Sequence, residues 1–458
     1  MSNLFVKIKN TYSDKKFLKF FIKLVIPVML TTFLSSIINF VDNVMVGAYS
    51  DEAVSAVYAV NQVNFIFNIM IFGVVGGAGI YIQQFSGKKD YVHLRQAFHF
   101  KIFALIFLGI ICFPILFIFK DIFIGVFISN NSNKEVISSL ANDYFNIVIF
   151  SFIPLLGTVL ISTTLREMGN TFPPVIASTC SLITNILVNS LLINGVVELG
   201  VKGAAIATVL SQTLGLIVII VVVIVKKYPF IEDIFNFKIE KSLTKKLIIS
   251  SIPVAINELM WSLSMVTLSA LYSQRGDVLS SLSISSTASE IFNIIFVGFS
   301  TGIGVMIGHY LGEGKIKEAE DNATKLLILA FSICIFSLLL MIGLSFILPI
   351  CYSKVSQEQK DIAHILIFIY SFAIPFFGFN SSVMNILKAG GRTYLAFSVD
   401  SLMTWIIVIP LVAILINFTS LSLPLVYMIV CSMDIVRLSI SIPLYKNKKI
   451  WARNLTSL

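Results

Sequence analysis

The sequence predicts an all-α polytopic membrane protein, with twelve transmembrane helices in two six-helix parallel repeats. Three observations predict it: an apolar composition, the spacing of the apolar runs, and an internal repeat near half the chain length. Of 458 residues, 57% are hydrophobic and 12% charged, with a mean hydropathy of +0.92. A soluble domain carries about 25% charged residues, so this chain lacks the polar groups to cover a soluble surface. A bilayer-crossing helix takes ~20 apolar residues, and the composition supplies about a dozen. No polar stretch is long enough to enclose its own core, which excludes disorder, a nucleic-acid-binding domain and a sizeable soluble catalytic domain.

The apolar runs fall at 20–47, 53–82, 97–119, 143–165, 172–194, 203–225, 247–272, 279–308, 323–350, 363–387, 394–417 and 423–444. The first follows a basic stretch and resembles a signal peptide. It is too long for one, contains Asn39, Asp42 and Asn43, and offers no small-residue cleavage site, so it reads as a retained helix. The second and eighth runs carry glycines at helical spacing, suited to close packing through small residues. The seventh follows a basic linker, and the twelfth contains Arg437.

The formal charge of +9 is unevenly spread. With the N-terminus inside, six Lys/Arg fall in external loops (Lys120, Lys134, Lys202, Arg275, Lys354, Lys360), Arg437 lies within a span, and the other 26 of 33 face the cytoplasm. This bias orients both termini inward and accounts for the basic charge without a nucleic-acid partner. Cys112, Cys180, Cys334, Cys351 and Cys431 form no close pair in sequence, so neither zinc site nor disulfide framework is expected.

An internal repeat divides the chain. Ile26-Pro27 returns as Ile252-Pro253, Phe67-Asn68-Ile69 as Phe292-Asn293-Ile294, and Gly73, Gly77, Gly79 and Gly87 as Gly298, Gly302, Gly304 and Gly312. Leu165-Arg166-x-x-Gly169-x-Thr171 returns as Leu387-Lys388-x-x-Gly391-x-Thr393. Six spans per half is an even number, so the halves share one orientation, an architecture found mainly in secondary transporters. The expected lobes are 1–225 and 247–458, joined by a cytoplasmic linker at 226–246 in which Phe230, Ile231, Ile234 and Phe235 suggest a short amphipathic helix.

An ionisable group within a bilayer costs about 2.5–3.5 kcal/mol on insertion scales, so each is a functional hypothesis. Asp42, Glu258, Glu290, Asp400 and Asp434 are the five. Asp434 precedes Arg437 by three residues and reads as a self-neutralised pair; Glu290 has Ser286 and Asn293 one turn away. Asp42 shares a stripe with Thr31 and Ser35, with Asn39 beside it, while Ser181, Asn185 and Asn189 share a face of the fifth span. A carboxylate beside amide oxygens suits a small cation or a bound proton, and interhelical hydrogen bonding is the alternative. Glu258, Trp261, Ser262, Met265, Ser269 and Tyr272 share a face of the seventh span, where an acid beside rings suits an organic cation and Met265 a variable shape; packing is the alternative. Asp400 precedes Thr404 by one turn. Gly298-Phe299-Ser300-Thr301-Gly302 matches a nucleophile elbow but lies within an apolar helix, without the strand-to-helix turn or base that chemistry needs.

The string Val41-Asp42-Asn43-Val44-Met45-Val46-Gly47, followed by Ala53-Val54-Ser55-Ala56, resembles the first-helix signature of the multidrug and toxic compound extrusion (MATE) transporters. Leu165 to Thr171, Asn185 to Asn189 and Gly200 to Thr208 resemble the signature of its helices 4 to 6, and Pro253 with Asn257-Glu258-x-x-Trp261 and Gly390-Gly391 resembles one bacterial branch. The resemblance implies two six-helix lobes and cation-driven export of amphipathic organic cations, with the coupling ion, H+ or Na+, at Asp42, Asn185 and Asn189 near Asn39. Glu258, Trp261, Met265, Asp400, Asn64 and Asn68 are the expected substrate contacts. The chain departs from the family at Arg392, where an acid is expected.

The resulting expectation is a monomeric antiporter in a bacterial cytoplasmic membrane, not an enzyme, with no cofactor beyond H+ or Na+. Its partners are small organic cations and the lipid bilayer, not nucleic acid. A lipid-linked saccharide flippase of the same superfamily is the alternative and calls for a basic central cavity. An integral membrane enzyme would need a convergent nucleophile and base, or a metal cluster.

Overall fold

The computed structural model describes residues 2–128, 133–193, 198–233, 236–275, 278–352 and 355–456. Among these there is no strand. Twelve helices are long and apolar enough to cross a membrane: α1 (Lys15–Gly47), α2 (Glu52–Lys88), α3 (Tyr91–Ile118), α4 (Lys134–Glu167), α5 (Pro173–Leu192), α6 (Val201–Val225), α7 (Lys241–Arg275), α8 (Ser280–Gly312), α9 (Ile316–Cys351), α10 (Gln357–Ala389), α11 (Thr393–Phe418) and α12 (Leu423–Lys446). Each expected apolar run coincides with one of them, three of the runs (97–119, 172–194 and 279–308) overrunning the helix by one or two residues at an end, and residue 194 lies outside the described residues. The chain is a multi-pass membrane protein.

Two features lay beyond the hydropathy pattern. The basic N-terminal stretch forms its own helix, Ser2–Ser13, before α1. Asp14 then caps α1, accepting from the Phe17 amide at 3.0 Å, and Lys325 of α9 donates to its other oxygen at 2.6 Å. The Lys325 hydrogen bond holds the Asp14 carboxyl below the usual carboxylate range, and the Phe17 amide adds to the effect. α4 also starts well before its apolar run and passes through a tightened turn at Ile149–Ser151, next to Pro154, which has no amide hydrogen to donate to the turn before it.

The chain gathers into two compact units, one of residues 26–82 and 90–255, the other of residues 1–25, 83–89 and 256–458. Glycines explain why these units take their first turns from the opposite half of the chain. At Gly77 of α2 a methyl group would run into the Ser251 backbone of α7, and at Gly302 of α8 it would meet Val25 of α1 at 2.7 Å. Only a hydrogen fits, so the backbone approaches closely. The two glycines are repeat equivalents, and so the starts of α1 and α7 are exchanged.

Within each unit the repeated motifs are packing and capping devices. Phe67 stacks on Phe152 of α4 with ring centroids 4.4 Å apart, and its equivalent Phe292 meets Phe377 of α10 edge-on at 6.2 Å. The Leu-basic-x-x-Gly motif ends α4 and α10 in the same way. Gly169 and Gly391 have φ of 78° and 79°; Asn170 N–H donates back to the Leu165 carbonyl at 2.8 Å, and Arg392 N–H to the Leu387 carbonyl at 2.9 Å. Such a left-handed cap favours glycine because no Cβ obstructs it.

Two sequence expectations are corrected. Described residues 226–233 form turns rather than an amphipathic helix, because Pro229 and positive φ at Lys227 and Asp233 (51° each) break helical geometry. Phe230 turns inward and is fully buried against Phe98. Ile234, Phe235 and Lys354 lie outside the described residues. Lys101, counted among cytoplasm-facing charges, is instead fully buried within α3. There its ammonium meets Glu167 of α4 at 2.5 Å and the Thr163 hydroxyl at 3.3 Å.

Candidate functional site

Asn185 and Asn189 are one turn apart on α5, whose start is fixed by Pro173 and Pro174 in its first turn, where their missing amide hydrogens cost nothing. The i, i+4 spacing puts both amides on one face, and both are fully buried. Across from them Asp42 of α1 is 7% exposed. Asn189 Nδ2 donates to Asp42 Oδ1 at 2.5 Å and to Asn185 Oδ1 at 3.2 Å. Tyr144 of α4 lies within electrostatic reach of Asp42. The sequence grouping of Asp42, Asn185 and Asn189 is therefore a physical cluster.

Two polar atoms in this cluster have no hydrogen-bond partner among the described residues, Asn189 Oδ1 and Asn185 Nδ2. Buried unpaired amide atoms are uncommon and call for an explanation. A half-turn of the Asn189 amide would present its oxygen beside Asp42, adding a neutral oxygen ligand next to the carboxylate. The same oxygen could accept a hydrogen bond from a protonated Asp42 carboxyl. Both chemistries suit a coupling ion. Asn39, expected nearby, is exposed on α1.

Asn64 and Asn68 of α2 are half-buried and bond along their own helix. Asn64 Nδ2 reaches Asn61 Oδ1 at 3.4 Å, and Asn68 Nδ2 donates to the Asn64 carbonyl at 2.9 Å. Asn64 Oδ1 is buried and has no hydrogen-bond partner among the described residues.

In the second unit, Trp261 and Met265 of α7 are exposed, at 36% and 49%, whereas Ser262 and Tyr272 turn inward. Glu258 lies 3.9 Å from the Lys388 ammonium of α10, so its charge has a partner within the protein. Glu290 is exposed. Asp400 sits on α11 in a stretch wound as π-helix, Ser398–Leu402 followed by Thr404–Val408. Widened turns of this kind occur often at functional sites. Asp400 accepts from Asn257 Nδ2 at 3.4 Å, and Ser401 Oγ donates to Asn257 Oδ1 at 2.8 Å. The expected intrahelical pair forms, with Arg437 at 2.9 Å from Asp434, and the same guanidinium donates to the Thr404 hydroxyl at 2.6 Å.

Sequence reasoning missed Asn257, Ser401 and Arg437 as parts of one network with Asp400. Asn257 was visible only as the neighbour of Glu258. Among the described residues no group of three or more His, Cys, Asp or Glu side chains comes together.

The MatE family profile matches residues 27–191 and 253–419, the first five helices of each half. A probable multidrug resistance protein NorM of Thermotoga maritima is 23% identical over 421 residues, covering 88% of this chain and 86% of its own length. The uncharacterized transporter YisQ of Bacillus subtilis is 25% identical, covering 87% of each. The multidrug export protein MepA of Staphylococcus aureus is 22% identical over 68% of this chain and 69% of its own. Among solved structures, an outward-facing multidrug resistance MATE transporter of the MOP superfamily superposes with a TM-score of 0.83 at 17% identity, over 93% of this chain and 95% of that one. A variant of the Vibrio cholerae MATE transporter VcmN gives 0.83 at 15% identity, over 96% and 97%. These structures share the fold. With both halves matched by the family profile, the chain belongs to the MatE family of multidrug efflux transporters, which are not enzymes.

Proposed function

We propose that this transporter is a secondary antiporter of a bacterial cytoplasmic membrane, with both termini inside, exporting amphipathic organic cations in exchange for inward H+ or Na+. The observation that carries this reading is the buried Asp42, Asn185 and Asn189 cluster, in which an amide with an oxygen unpartnered among the described residues holds a carboxylate. A carboxylate taken out of water needs a proton or a cation to compensate its charge, which makes the site a binder of the driving ion. Glu258 and Asp400, with Trp261 and Met265 near the first, recognise the organic cation. Asn64 and Asn68 are the polar substrate contacts proposed within the other unit. One inward charge at 100 mV is worth ~2.3 kcal/mol, a driving force that supports a modest substrate gradient per ion.

Efflux of a fluorescent organic cation from proteoliposomes, with pH and sodium gradients imposed separately, tests the reading. One gradient is expected to drive efflux and its absence to stop it. Efflux indifferent to both would refute coupled antiport.

A further inference from the structure

Each half of the chain ends in a segment that turns back and presses an aromatic ring into its own unit. After α6, Phe230 is fully buried with its ring centroid 4.8 Å from that of Phe98, while Arg95 of α3 pairs with Asp233 at 3.1 Å. After α12, Trp451 is fully buried with its ring stacked on Tyr445 at 5.9 Å, while Lys448 pairs with Glu320 of α9 at 2.5 Å. Arg95 and Glu320 stand at equivalent positions of the repeat, so the same fastening recurs with its charges exchanged.

The second segment does more than the first. Gln84, near the end of α2, is fully buried. Its Nε2 donates to the Ala389 carbonyl at 2.8 Å and the Arg453 carbonyl at 3.3 Å, and its Oε1 accepts from the Leu455 amide at 2.7 Å. Lys88 donates to the Thr456 carbonyl at 3.2 Å. Just before α11, Arg392 Nε donates to the Ile450 carbonyl at 3.0 Å, which gives this departure from the family pattern a structural task. At Gly390 an added methyl group would collide with the Trp451 carbonyl, so the segment lies directly on the backbone there.

α2 is a single helix counted in both compact units, up to Ile82 in one and from Gln83 in the other. Whatever fixes its last turns restrains a helix whose remainder belongs elsewhere. We propose that residues 447–456 form a releasable strap that fastens the end of α2, and that opening of this strap is a step of the transport cycle. The bonds that hold it run mostly to backbone carbonyls, which water satisfies equally well on opening. Conformational steps of this kind commonly limit turnover. The inference rests on the antiport reading for its consequence, but not for its structural content.

The test uses the full chain with its five cysteines replaced, carrying Glu320→Cys and Lys448→Cys joined by a short reductant-cleavable thiol cross-linker. Efflux of a fluorescent organic cation and amide hydrogen exchange at residues 83–89 are both measured. Cross-linking is expected to lower efflux at least about tenfold, with recovery on cleavage, and to slow exchange at 83–89 at least about fivefold. Gln84→Met keeps the side-chain volume but loses both bonds to the strap as well as the one to Ala389 of α10, and is expected to speed that exchange by a similar factor. Full efflux from cross-linked protein overturns the gating step, and unchanged exchange in both proteins overturns the strap. If the uncross-linked parent moves no cation, the antiport reading fails and exchange alone decides the strap.

Discussion

Asn189 of α5 donates a 2.5 Å hydrogen bond to Asp42 of α1 while also donating to Asn185 one turn away, so one amide group connects the buried acid to a second amide. If these groups bind the coupling ion, shortening either asparagine removes an oxygen ligand while leaving the acid in place. Asn185→Ala and Asn189→Ala are each expected to raise the half-saturating concentration of the driving ion about tenfold, about 1.4 kcal/mol. Initial efflux rates against ion concentration provide the measurement. Unchanged ion dependence in both variants would assign the asparagines to helix packing.

Glu258 is expected to discriminate by substrate charge. Glu258→Gln should weaken binding of cationic substrates more than of neutral ones of similar shape, since only the former lose a charge partner. Lys388 lies 3.9 Å from the same carboxylate and competes for it, so Lys388→Gln should act in the opposite direction. Fluorescence titration of a matched cationic and neutral pair checks both signs.

The buried pair of Lys101 and Glu167 is expected to matter more when half of it remains than when both are gone. Removing one partner of a buried ion pair costs about 3–5 kcal/mol because the other charge is stranded. Lys101→Met and Glu167→Gln should therefore each lower the thermal midpoint markedly. The double change to Met at both positions should recover much of the loss. Thermal unfolding in detergent, read by tryptophan fluorescence, separates these outcomes; equal loss in single and double variants would contradict the pairing.

Acid should loosen the N-terminal helix. The Lys325 hydrogen bond keeps the Asp14 carboxyl below its ordinary range in the folded protein. The stabilisation is therefore present above the unfolded carboxyl's titration and is lost as pH falls through the folded value. The protection factors of the amides at residues 7–13, exchange corrected for its intrinsic pH dependence, should fall in the acid range in the wild type. Lys325→Gln should show the lowered protection already at neutral pH. Protection in the wild type that stays constant down to pH ~3 would exclude this fastening.

The twelve spans were legible because burial in lipid demands long apolar runs, and composition alone records those. The Asp42 cluster was legible because a carboxylate within an apolar run is costly, and the two asparagines showed their shared face by spacing. The Lys101 and Glu167 pair was not, since both stand near span ends and their partnership depends on how α3 meets α4. Gln84 reads in sequence as one more polar residue after a span; its three bonds reach residues 305 to 371 positions away, beyond any local pattern. The exchanged starts of α1 and α7 were hidden for the same reason, although Gly77 and Gly302 marked the place. The π-helical winding around Asp400 left no signal in residue type.

The central claim, that Asp42 carries the ion whose movement drives export, is tested most directly by Asp42→Asn in proteoliposomes loaded with a fluorescent organic cation. The amide preserves volume and hydrogen bonding but cannot be ionised. With protein content matched to wild type, the variant is predicted to retain binding of the organic cation within about threefold, less than 1 kcal/mol, and to show no efflux driven by either a pH or a sodium gradient. Gradient-driven efflux at the wild-type rate would contradict the claim and leave Asp42 as a structural contact of Asn189.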